Sequence, residues 1–140
     1  MKRSASPVLA LAFAAGALAA PASAVPEGGG AKDPETVFVT YHVRPGKEAD
    51  MEKLMREDHW PLLRRLGLVR ESPHVLARGT EADGKPFLRE VLTWRDHDTP
   101  DNAPPEVEAV WKHMYDFVEK RGGSPAIEIQ EVDLLIPAAP

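Results

Sequence analysis

Chemistry in this chain could rest on five histidines, His42, His59, His74, His97 and His113, and on one well-placed acid, Glu90. An imidazole titrates near neutral pH and can take a proton from a weakly acidic substrate hydroxyl. His42 stands beside Phe38 and Thr40 in an alternating apolar stretch. His59 and Trp60 come just before Pro61, where a break in a helix would open a cavity mouth. His113 flanks the apolar stripe of a second helix. Glu90 lies inside the run FLREVLTW and shares a face with Trp94. The candidate catalytic residues are therefore His42, His59, His113 and Glu90, and the candidate pocket walls are Phe38, Thr40, Trp60 and Trp94. Glu90 has a second reading, a cross-strand ion pair with Arg78 or Arg89. His74 follows Pro73 and His97 lies in Asp96-His97-Asp98, positions that read as exposed.

Other chemistries find little purchase. No H-x-H, H-x-x-x-H or H-E-x-x-H spacing occurs, so a metal site with three converging ligands is not expected. There is no cysteine, which excludes a thiol nucleophile, a disulfide, a lipidated cysteine and covalent haem attachment. A serine nucleophile elbow and a glycine-rich phosphate loop are also missing from the sequence.

The elements that must position these residues follow from periodicity. Residues 36–44 alternate, with Val37, Val39, Tyr41 and Val43 on one face and Phe38, Thr40, His42 and Arg44 on the other, as a strand does. Pro45-Gly46 stops it. Residues 47–59 have helical spacing through Met51, Leu54 and Met55. Pro61 should interrupt or restart that helix, and Gly67 should end it. Residues 74–79 and 86–95 read as an antiparallel hairpin. Residues 105–121 carry the clearest helical stripe: Val107, Val110, Trp111, Met114, Phe117 and Val118, all read as core. Residues 126–135 alternate again. The order βαββαβ predicts an α+β, ferredoxin-like fold, with a four-stranded antiparallel sheet and two helices on one face. The other face mixes apolar and polar groups, which predicts burial against a second copy.

The chain begins Met1-Lys2-Arg3, continues with an uncharged Ala- and Leu-rich run, and reaches Ala22-Ser23-Ala24. That is the form of a cleavable secretory signal over residues 1–24, followed by a flexible leader over 25–35, the domain over 36–135 and a tail over 136–140. The apolar run is too short for a spanning helix. Cleavage takes Lys2 and Arg3 from the 17 basic residues and none of the 22 acidic ones, so the net charge goes from −5 to −7. Such a surface repels nucleic acid and anionic lipid. The expected location is the periplasm or the medium, with no membrane contact after cleavage.

Three segments resemble the antibiotic-biosynthesis-monooxygenase-like domains of the dimeric α+β barrel superfamily. They are Val43-Arg44-Pro45-Gly46-Lys47-Glu48 opening the first helix, the strand from Phe87 to Trp94, and the spacing from Trp94 to Pro105-x-Val107-x-x-x-Trp111. The resemblance covers essentially the whole domain; the proline-rich, acidic loop 96–104 departs from the common pattern. It implies a homodimer, a dimeric α/β barrel with a cavity between each sheet and its helices. Some members oxidise aromatic polyphenols or quinols with dioxygen and no metal or flavin, and others bind or degrade haem.

Two functions fit. The first is an exported, cofactor-independent monooxygenase of an aromatic or quinol compound, in which His42, His59 or His113 faces a pocket lined by Trp60 or Trp94. The second is a non-catalytic barrel holding a small apolar ligand or haem, in which each histidine is exposed or engaged by an acid. Export favours no cofactor, since NAD(P)H and free flavin are mainly cytoplasmic; haem, on His59 or His113, is the other option.

Overall fold

The computed structural model describes residues 32–135. The expected signal segment, most of the leader and the tail lie outside the described residues. Strand β1 runs Glu35–His42, β2 Val69–Thr80, β3 Pro86–Trp94 and β4 Ile127–Glu131. They form one antiparallel sheet in the order β2-β3-β1-β4, the ferredoxin-like arrangement expected. The face bearing Val37, Val39, Tyr41 and Val43 lies under the helices, and all four are buried. Leu63 and Val107 close over them at 0% exposure. Burying such a side chain contributes about 1.5–3 kcal/mol.

Pro61 restarts the first helix, as one of the two expected outcomes had it, and does not end it. Helix α1 (Glu48–Lys53) passes through a π turn at Leu54–His59 and continues as α2 (Trp60–Arg65). A π turn widens the ladder by one residue, which gives the proline ring room and absorbs its missing donor. It also carries His59 inward, where that residue is buried. The helix then stops where expected, at Gly67, which takes φ +69° and follows the last helical turn.

The second helix is shorter than its stripe. α3 covers Pro105–Met114, after a short 3-10 turn at Pro100–Asn102. The expected continuation to Arg121 is absent because β1 captures the chain there. Val118 bridges Val43, Arg44 N donates to Phe117 O, and Glu119 N donates to His42 O. Strand β2 is longer than expected and starts at Val69, with an irregular register between Val69 and His74. Among the described residues, no helix is long and apolar enough to cross a membrane.

Candidate active site

Glu90 occupies the middle of β3, between Val39 on β1 and Leu76 on β2. Tyr41 and His74 stand two residues along those neighbouring strands, so both are its diagonal neighbours on the same face. Tyr41 Oη donates to Glu90 Oε1 at 2.8 Å, and His74 Nε2 lies 2.8 Å from Glu90 Oε2. Glu90 is 1% exposed, so a carboxylate is held in the core by one phenol and one imidazole. Burial, then the charge of Glu90 and its hydrogen bond, push the Tyr41 phenol well above its ordinary range, and it stays protonated. His74 stacks flat on Trp60, ring centroids 3.5 Å apart.

This chain of three residues connects two spaces. Tyr41 forms part of the wall of a cavity of about 450 Å³ whose other walls include Val39, His59, Leu92, Trp94 and Trp111. His74 and Trp60 line a separate groove of about 310 Å³, with Arg56 and Arg78 at its edge. The larger space has the size and mostly apolar lining of a small-molecule site.

His59 is the buried imidazole of that cavity. Trp111 Nε1–H donates to its Nε2 at 3.2 Å, and its Nδ1 is buried with no partner among the described residues. Burial holds the imidazole below its ordinary range; Glu90 opposes this and His74 adds to it. The unfolded imidazole, at about 6.5, therefore takes up its proton first as pH falls. The stability that neutral His59 gives is present above pH 6.5 and is lost as pH falls toward its folded value. His59→Gln should flatten the decline of stability with falling pH by up to about 1.4 kcal/mol per unit across that window. Urea unfolding at pH 7.5 and at half-unit steps below 6.5 checks it, and parallel profiles for the two proteins would refute it.

The sequence candidates are divided between places. His59 and Trp94 share the large cavity, and Glu90 abuts it through Tyr41. Trp60 lines the groove on the other side of Glu90. Phe38, Thr40 and His42 stand on the opposite sheet face, away from the cavity, because β1 alternates and Tyr41 takes the inward side. There Thr40 accepts from Arg89 Nε, the Arg89 guanidinium lies 5.8 Å from the Phe38 ring, and His42 sits between Glu81 (2.8 Å) and Glu128 (2.5 Å). His113 is exposed and lies 3.8 Å from Asp116. The alternative ion pairs of Glu90 do not form: Arg78 reaches Glu52 instead, and Arg89 lies on the outer face over Phe87. Tyr41, His74 and Trp111 were not candidates from sequence.

Among the described residues, one group of side chains could hold a cation: Glu35, His97 and Glu131, whose ligand atoms lie within 4.8 Å of one another near the cavity mouth. Of the two histidines expected to take haem, His113 is outside the cavity, and the Nε2 of His59 accepts from Trp111.

No protein-family model matches the sequence, and no curated protein is similar to it. Solved structures share the fold. A proposed antibiotic biosynthesis monooxygenase from Bacteriodes thetaiotaomicron VPI-5482 superposes with a TM-score of 0.55 at 17% identity, over 79% of this chain and 98% of that one. A structure named as an antibiotic biosynthesis monooxygenase gives 0.52 at 12% identity, over 73% and 99%. A proposed member from Nitrosomonas europaea gives 0.50 at 11%, over 76% and 94%. The α+β, ferredoxin-like fold expected from the sequence is thus the one this chain shares with them.

Proposed function

We propose that this chain is an exported, cofactor-independent monooxygenase that oxidises a phenol or quinol in the cavity walled by Tyr41, His59 and Trp94. The observation that carries this reading is the Tyr41–Glu90–His74 chain, which joins an apolar cavity to an imidazole outside it. A phenol reacts with dioxygen far more readily once its proton is gone. The substrate hydroxyl gives its proton to the Tyr41 oxygen while Tyr41 passes its own to Glu90, which keeps it beside His74 until it leaves with the oxygen atom released as water. Tyr41 is a relay here and not a standing base, since it holds its own proton tightly. The apolar walls keep water from the electron-rich ring. The overall change balances without a reductant: one phenol and one dioxygen give one quinone and one water. All four electrons come from the ring. One oxygen atom becomes the new carbonyl and the other leaves as water.

The same proposal includes export after loss of residues 1–24 and a homodimer formed through the outer sheet face, where Phe38, Phe87 and Val91 are only half-buried. The second reading, a non-catalytic ligand carrier, is favoured by one observation. Four histidines, His42, His74, His97 and His113, each face a carboxylate. An oxygen electrode separates the two. With anthrones and hydroxylated naphthalenes, the expected result is one dioxygen consumed per substrate, unaffected by a chelator, with one ¹⁸O atom in the product. Ligand binding with no oxygen uptake above buffer would replace the enzyme by the carrier.

A further inference from the structure

We infer that the cavity selects apolar compounds that present a hydrogen-bond acceptor to the Nδ1–H of His59, and that its acidic mouth turns away anionic ones. This rests on the cavity being the substrate site, as proposed above, and adds what the site recognises.

The first half follows from Trp111. An indole nitrogen can only donate, so the bond from Trp111 Nε1 requires that His59 Nε2 accept. The proton of the neutral ring must then sit on Nδ1. That N–H is buried with nothing to receive it, a condition folded proteins rarely tolerate without a partner. His59 is 2% exposed and is one of the buried residues of the cavity wall, which Tyr41, Leu92 and Met114 also line. Nδ1 itself has almost no accessible surface, so a carbonyl, quinone or phenolate oxygen that supplies the missing acceptor reaches it by displacing the neighbouring wall of the cavity. His59 is thus a donor that polarises an oxygen and does not act as a base, whereas Tyr41 and Glu90 handle the proton.

The second half follows from the other end of the cavity. The outer lining includes Glu35, Asp101 and His97, with Tyr115 and Ile129 exposed beside them. His97 Nδ1 lies 3.3 Å from Glu35 and 3.9 Å from Glu131, and with Asp101 in the same lining there is one imidazole among three acids. The surplus is negative, and a ligand carboxylate would add to it.

The test uses three probes of one shape, titrated under nitrogen into the purified protein and read by calorimetry and tryptophan quenching: 9-fluorenone, fluorene, and fluorenone-2-carboxylate. Fluorenone should bind about 10- to 100-fold more tightly than fluorene. His59→Leu should remove that difference, and His59→Gln, which keeps a donor, should retain part of it. The carboxylate should bind at least about tenfold more weakly than fluorenone and recover in Glu35→Gln. Equal affinity for fluorenone and fluorene in the unmodified protein would overturn the donor role even if His59→Leu fails to fold. Tight binding of the carboxylate would overturn the charge selection. Because these ketones are not turned over, a fluorenone preference without oxygen uptake would sink only the oxygenase reading. Oxygen uptake without that preference would sink only this one.

Discussion

Glu90→Gln is expected to lower turnover of a competent phenol by roughly 10²- to 10⁴-fold while KM changes little, the range lost when a positioned proton acceptor is removed. The substitution keeps the shape of the side chain. Its amide oxygen can still accept from Tyr41, and its NH₂ can still face His74, so the two contacts at 2.8 Å survive in altered form. What disappears is the ability to take a proton. The cost to stability should be about 1–2 kcal/mol, since one charge-assisted hydrogen bond becomes a neutral one. Tyr41→Phe is the companion variant: it retains the ring packing and severs the same relay from the cavity side, so the two losses should not add. Turnover by Glu90→Gln within about threefold of the parent protein would make Glu90 a structural carboxylate and end the relay proposal.

Why Glu90 could be suspected from sequence while its partners could not is a matter of range. A lone acid in an apolar strand is visible in eight consecutive residues. Its neighbours depend on which residues of β1 and β2 lie diagonal to it, and that register joins positions 16 and 49 residues away. Tyr41 looked like core because it is core: its hydroxyl is satisfied internally, so its position has the pattern of an apolar residue. His42, Phe38 and Thr40 were chosen on the premise that a pocket opens on the mixed face. Instead the cavity lies on the buried face, between β1, β3 and β4 and the helical residues His59, Trp111 and Met114 that only partly cover them. The alternation of β1, the hairpin, the Gly67 stop and the strand order were all legible, because each depends on local spacing. The π turn was not, since helical periodicity gives no sign of one extra residue per turn.

Residue 121 shows the same limit and supplies the largest expected loss of stability. The stripe from Val107 to Val118 and the basic pair Lys120-Arg121 read as a long helix whose negative end is matched by cations. The structure uses Arg121 otherwise. Its side chain is 7% exposed and its guanidinium donates to Pro86 O at 2.7 Å, to Val43 O, and to Glu119 at 3.1 Å, with Glu81 at 3.3 Å. It therefore ties the end of β1, the start of β3, the β2–β3 turn and the segment after α3. Arg121→Met should cost about 3–5 kcal/mol, because two carboxylates and two carbonyls lose their common donor in a place water reaches poorly. Arg121→Lys should recover only part, since one ammonium cannot span a fork of four acceptors. Urea midpoints at constant m-value measure both. A loss under about 1 kcal/mol for Arg121→Met would mean that the guanidinium decorates this corner and does not hold it, and that the backbone bonds from Arg44 to Phe117 and from Glu119 to His42 suffice to end α3 at Met114.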